Sequence, residues 1–476
     1  MDETSDQAAS GSTTERLRGF LRTLSPTVCA QLLDTMEKAA LAGEPVPGAE
    51  MILDELRTIL REAAKRKPRS GTPVRHFFRI AEALLIDEEL PEKRPARIER
   101  ASLPPIWTWI KRNLIPEEAS AFEASCSAAI LLEDMEQVRA LVHEFHKTAA
   151  AAIKTALAAM SSEAERRRQI SQIGGPRVFD DLRDLLVMLE NRDAFRALND
   201  RVVGPIRAID DAQMALIIGA LQPFTRASSQ ALLVYAGAVV MSKLVQPWQI
   251  LRVVVSACET DEADTIAASA YSHIVELVLT DVERLVIRAA NARRTLDVAK
   301  VFSAARDFSS YVKALSSDIN LNEHPTWARR LGVWRGRMGE LLRTQIETLP
   351  GRVRWLLKPV AQAKAQKGDV ADAQEIASIE VALDILMLAR NHAAELALNE
   401  VTMRVFGDLQ AMLDSGINPL IESLRSTSGD DRIRRLTQLE AAVRIAGKVF
   451  GSNYAGLLQK AIDVAAGGDR KSGKAA

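Results

Sequence analysis

The sequence predicts an all-α fold: an irregular helical-hairpin array of the α-solenoid kind or a set of stacked helix bundles, with a smaller basic helical region on its N-terminal side. Three observations lead there. Apolar residues recur at steps of three and four almost everywhere after Thr14, the period of a helix with one face turned inward. Helix-start signals, a proline or acidic residues just ahead of such a run, recur along the chain. Hydrophobic residues make up 47% of the 476 and aromatics only 5%, so the chain can bury large cores built mainly from aliphatic side chains.

Residues 1–13 are rich in Ser, Thr, Asp and Glu and read as disordered, with no apolar segment of a signal peptide. Residues 14–115 read as a basic, proline-interrupted helical domain. Ser25-Pro26 opens a segment to Leu41, and Pro47-Gly48 precedes one to Lys67. Pro91, Pro95, Pro104 and Pro105 then form a break from Leu90 to Pro105, expected to let this domain move relative to the helical body.

Residues 116–466 read as an extended helical domain of roughly fifteen helices. Pro116-Glu117-Glu118 opens a segment expected to run as far as Met160. Pro176, after Gly174-Gly175, opens a helix with Leu182, Leu185, Leu186 and Leu189 on one face. Asp210-Asp211 stand before Met214, Leu216 and Ile217, as acidic residues do in a first turn. Val253-Val254-Val255 falls inside a helical period and is assigned to helix. Between Asp211 and Cys258 the only other charges are Arg226, Lys243 and Arg252, which marks this stretch as the most buried. Residues 467–476 form a Gly-rich tail read as disordered. Neither the tetratricopeptide nor the ankyrin pattern occurs, and degenerate helix pairs of about 40 residues fit the spacing.

Lys+Arg and Asp+Glu both number 62, which excludes a chain basic throughout and an acidic solvating chain. The zero total hides strong segregation. Residues 61–112 hold 13 Lys/Arg against 7 Asp/Glu, a net +6. Residues 329–358 hold 8 against 2, again +6. Between them lies an acidic block of Glu259, Asp261, Glu262, Asp264, Glu276, Asp281 and Glu283, and Asp369 to Glu400 is acidic again. Both basic blocks interleave aromatics, and together they hold five of the six tryptophans. The candidate binding residues are therefore Arg66, Arg69, Arg75, Arg79, Trp107, Trp109 and Arg112 in the first block, and Arg329, Arg330, Arg335 and Arg337 in the second. Cations attract phosphates and aromatic faces stack on unpaired bases. Trp107 and Trp109 are two apart, so on a helix they point differently, and one is expected to be partly exposed for docking. The blander account is a helix with a core stripe of Trp327, Leu331, Trp334, Met338, Leu341 and Gln345 and arginines on its wet side, paired with the acidic blocks.

Asp180-Asp181-Leu182-Arg183-Asp184 has the spacing of carboxylates that hold magnesium against a diphosphate in helical isoprenoid synthases, but no second motif accompanies it. His143 and His146 stand at i, i+3 without a third ligand. Cys29, Cys126 and Cys258 are too far apart for zinc or redox spacing and read as buried thiols in a reducing compartment. Glycine-rich phosphate loops and the nucleophile-elbow pattern are absent, which counts against enzymes that depend on either. The reading is a non-enzymatic α-helical scaffold or adaptor in the cytoplasm, without cofactor or metal, binding protein partners or itself through charge-segregated surfaces. The first alternative is a nucleic-acid-associated protein using the basic, aromatic N-terminal region. The second is a magnesium-dependent helical enzyme using Asp180, Asp181 and Asp184. The longest uncharged stretch, Ala227 to Ser242, falls short of the roughly 20 apolar residues of a membrane span, and peripheral membrane contact is not expected.

Overall fold

The computed structural model describes residues 71–358 and 373–467, with a few positions between Leu32 and Leu56. Residues 1–13, the tail beyond Gly467 and most of the helices expected over 25–41 and 47–67 lie outside the described residues. Among the described residues there are nineteen α-helices and one pair of two-residue strands, so the fold is an all-α helical array.

The first four helices are α1 (Pro73–Phe78), α2 (Leu103–Trp109), α3 (Pro116–Leu131) and α4 (Met135–Ala158). The chain divides into two compact units, one of residues 1–79 and 116–146, the other of residues 80–115 and 147–476. In the first unit Thr72 caps α1 by accepting from the Arg75 amide, and a proline stands in the first turn. The aromatics of α1 turn inward, where Phe77 meets Phe145 edge-on and Phe145 stacks on Phe122 at 4.3 Å. The helix expected to run from Pro116 to Met160 is broken at residues 132–134. Glu133 turns left-handed at φ 56°, and the Asp134 carboxylate accepts from the Gln137 amide at 2.9 Å, which restarts the helix.

The second unit continues with α5 (Glu163–Ile173), α6 (Pro176–Glu190), α7 (Arg192–Arg201), α8 (Asp211–Leu221), α9 (Leu233–Met241) and α10 (Ile250–Cys258). Gly174 and Gly175, at φ 126° and 116°, make the turn between α5 and α6. A Cβ on Gly174 would also lie a tight 3.1 Å from Pro105, which adds to the strain a side chain would meet there. Every residue of α9 is buried, as the uncharged stretch predicts. Next come α11 (Ala263–Ala268), α12 (Ser272–Arg294), α13 (Val298–Asp318), α14 (Pro325–Leu356), α15 (Ala373–Asn391), α16 (Ala393–Leu396), α17 (Asn399–Arg425), α18 (Gly429–Phe450) and α19 (Ser452–Gly467).

These helices pack in two rows. In one row α7, α9, α12, α14, α17 and α19 each lie against the next. In the other row α8, α10, α13, α15 and α18 do the same. Each second-row helix also packs on the first-row helix before it, so the chain advances as five successive helix pairs closed by α19. The core lies between the rows. On α14 the buried stripe begins as expected with Trp327, Leu331, Trp334 and Met338, but continues through Leu342, Ile346 and Leu349 rather than Leu341 and Gln345. A helix turns 3.6 residues per cycle, so over this length the inward face moves off a strict count.

The proline-rich break is not a loose hinge. Strand β1 (Leu85–Ile86) pairs in parallel with β2 (Ile98–Glu99), closing residues 87–97 into a loop pinned at both ends. Leu90, Ala96, Arg97 and Ile98 are buried in the second unit. Prolines fix the bends of this loop; buried apolar and charged side chains anchor it.

Candidate functional site

The arginines that the sequence singles out fall in both units, and two of them lie outside the described residues. Arg66 and Arg69 lie outside the described residues. Arg75 and Arg79 are exposed in the first unit, and Arg112 is exposed in the second. On α14, Arg330 pairs with Glu276 of the acidic block. Arg335 is half-buried and donates to the carbonyls of Ala394 and Glu395, which closes the last turn of α16. Arg337 lies over the Trp334 ring at 4.6 Å, and Arg329 is exposed. The same block's Arg352 meets Glu375 at 2.9 Å.

The aromatic half of the expectation needs correction. Trp107 and Trp109 are both buried, at 8% and 4% exposure, so neither offers a docking surface. They flank a face that also includes Ile106 and Ile110, wide enough to take both, because α2 packs on α5 and α6. Phe77, Phe78, Trp327 and Trp334 are buried as well, and of the block tryptophans only Trp355 is exposed. Cys126 is buried and Cys258 half-buried.

The aspartate cluster on α6 is built for a lysine. Lys93 Nζ sits 2.5 Å from Asp181 and 2.8 Å from Asp184. Asp181 also accepts from the Ser102 hydroxyl at 2.6 Å and the Glu99 amide at 3.1 Å, and Asp184 accepts from the Tyr235 hydroxyl at 2.7 Å. The ammonium thus stands where a divalent cation would have to sit, while Asp180 lies on a different, half-buried side. Burial holds the Asp184 carboxyl above its usual value, against the pull of Lys93. His146 is buried and its Nε2 lies 2.8 Å from the Phe77 carbonyl, a structural bond. Among the described residues no group of three or more His, Cys, Asp or Glu is placed to hold a metal.

Sequence reasoning missed the charged centre of the second unit. Arg97, from the pinned loop, donates from Nε and Nη2 to both oxygens of Asp281 on α12, at 2.8–3.0 Å, and from Nη1 to the Ala96 carbonyl. Arg284 bridges Asp281 at 2.8 Å and Glu88 at 2.9 Å. Arg288 donates to Glu88 at 2.7 Å, and Arg94 approaches Glu283 at 3.5 Å. Arg97, Asp281 and Glu88 are 4%, 6% and 4% exposed. Burial raises the Asp281 and Glu88 carboxyls, but the arginines outweigh it, so both end below their ordinary values. The available signal was a cation-bearing proline-rich segment whose Arg94 and Arg97 face an acidic block without a cation of its own.

This network forms one wall of a cavity of about 680 Å³ bounded by α9, α12, α13 and the turn after α9. Arg97, Arg284, Arg288 and Arg306 line it, with Tyr311, Trp248 and the aliphatic Met241, Val245 and Leu285. Compared with protein families, curated proteins and solved structures, the chain matches none. The assignment of function therefore rests on chemistry within the fold. No helix of the described residues is long and apolar enough to cross a membrane.

Proposed function

We propose that the protein is a non-enzymatic helical scaffold of the α-solenoid class, which binds a protein partner or a second copy of itself by helix packing. The observation that carries this reading is the outer face of α19. Gly456, Leu457, Lys460, Ala461 and Val464 fall on one side of that helix and are exposed, Leu457 at 66% and Val464 at 70%. A helix face left to solvent in an array of stacked helix pairs is expected to be polar. Apart from Lys460, this face is small and aliphatic, the kind on which another helix packs closely. Met403, on the neighbouring α17, is exposed at 75%.

Two further observations support the reading. The arginines of the second basic block are largely engaged inside the fold, which favours apolar recognition over a phosphate-binding face. The aspartates of the magnesium alternative are engaged by Lys93. Covering Leu457 and Val464 contributes about 1.5–3 kcal/mol each to an interface. Leu457→Glu combined with Val464→Glu tests the proposal by affinity purification and light scattering. The expected result is loss of the wild-type protein's specific partner, or of its dimer, with the helical spectrum and melting temperature unchanged. A variant that keeps every partner and the same mass overturns it, as does a wild-type protein that is monomeric and retains nothing.

A further inference from the structure

We propose that the cavity bounded by α9, α12 and α13 is a binding site for a small organic phosphate, its phosphate held by Arg288, Arg306 and Tyr311 and its flat organic part laid along Trp248. This goes beyond the scaffold reading and does not depend on it.

Charge favours an anion. Arg97, Asp281, Arg284, Glu88 and Arg288 form a continuous chain in which three guanidiniums meet two carboxylates. Arg306 and Asp307 cancel each other. One positive charge is left over at the cavity wall, on the side where the chain ends in Arg288. A concave wall carrying excess positive charge raises the local concentration of anions more than the same charge on a flat surface.

The set of donors favours a phosphate. Arg97 and Arg284 engage all of their nitrogens with Asp281, Glu88 and the Ala96 carbonyl, so they form a fixed frame. Arg288 uses only Nε, and its two terminal nitrogens make no hydrogen bond among the described residues. Arg306 reaches Asp307 from Nε and Nη2 at 3.3 and 3.2 Å and keeps Nη1 unengaged. Tyr311 is buried at 7% exposure, lines the cavity, and its hydroxyl has no hydrogen-bond partner among the described residues. That hydroxyl opens to solvent in the cavity, so it can donate to a ligand there. Burial, and then the Asp281 carboxylate, hold it well above the usual tyrosine value, so it keeps its proton for donation. Donors from three separate side chains suit the three outer oxygens of a phosphomonoester better than the two coplanar oxygens of a carboxylate.

Shape favours an organic ligand. The volume exceeds what an inorganic ion fills and lies within the roughly 300–1,000 Å³ of small-molecule sites. The lining also holds the apolar Met241, Val245 and Leu285 and the half-buried Trp248, while Ser310 and Gln246 offer hydrogen bonds to sugar-like hydroxyls.

The test is titration calorimetry with tryptophan fluorescence at low salt, using adenosine monophosphate, ribose 5-phosphate, inorganic phosphate and citrate as probes on the full chain. Adenosine monophosphate is expected to bind saturably and to change the fluorescence. Arg306→Gln leaves the buried chain of ion pairs intact and is expected to weaken binding about tenfold, the loss of one charged hydrogen-bonding partner. Trp248→Phe is expected to remove the fluorescence change, and Tyr311→Phe to weaken every phosphate probe. Absence of saturable binding by either organic phosphate, or unchanged affinity in Arg306→Gln, overturns the site. Inorganic phosphate or citrate binding as tightly as adenosine monophosphate overturns the assignment to an organic phosphate. Ribose 5-phosphate binding as tightly as adenosine monophosphate overturns the role of Trp248.

Discussion

Asp281 decides how the second unit holds together. Its two oxygens take hydrogen bonds from Arg97 and Arg284, and Arg284 passes the chain on to Glu88. Removing one partner of a buried ion pair leaves the other charge uncompensated, which costs about 3–5 kcal/mol. Asp281→Asn is expected to lower stability by that order, measured by urea unfolding at neutral pH. Acid acts on the same bonds. Asp281 and Glu88 have folded values below their unfolded ones, so their contribution is present above the ordinary carboxyl value, near pH 4, and is lost as pH falls through the folded values. Asp184 is raised and works in the opposite direction: its contribution is present at low pH and is lost as pH rises through its folded value. The acid limb of the wild-type stability curve should therefore be steeper than that of Asp281→Asn, and equal limbs would contradict the role given to Asp281. At this scale the sequence was half legible. Its charge blocks are visible as runs, but pairing Arg97 with Asp281 joins residues 184 apart, and no local pattern encodes such a partner.

Helices were more legible than residues. Pro176 after two glycines opens α6, and the apolar run at 182, 185, 186 and 189 is buried as read. Leucine spacing survives in the fold because each helix of the array needs one inward face. What spacing could not show was how tightly helices approach. On α14, Gly339 lies against α16, where a Cβ would come 2.8 Å from the Leu396 carbonyl, one turn after Arg335 closes the same short helix. Gly336 has open space around it. Gly339→Ala is expected to destabilise by about 1–3 kcal/mol through overpacking. Gly336→Ala, on the same helix, is expected to stabilise by about 0.5–1 kcal/mol, because alanine restricts the unfolded chain more and suits a helix interior better. Thermal melts of the two variants check both signs; equal shifts in the two would mean that α16 does not bear on α14. The segment from Leu90 to Pro105 was misread for a related reason. Prolines signal that a segment leaves regular structure, and they do not tell whether it is free or fastened by Lys93, Arg97 and buried apolar neighbours.

For the whole molecule, the sequence separates its charges and the fold of the second unit brings many of them back together. Glu276, Asp281 and Glu283 of the acidic block each face an arginine from elsewhere in the chain. The all-α class follows from a period repeated along the chain, which is why it could be read without a partner chain or a relative. The site could not be read that way, because the cavity takes its walls from α9, α12, α13 and the pinned loop at once. On the proposed reading, the long basic block on α14 is structural and recognition by the array is apolar. Gel filtration at low salt, on protein prepared without nuclease and followed at 260 and 280 nm, tests it most directly, because phosphate binding is strongest there and falls steeply with salt. The absorbance ratio expected is that of protein alone. A high ratio that drops after a salt wash, and that is abolished by Arg329→Glu with Arg337→Glu, would contradict the claim.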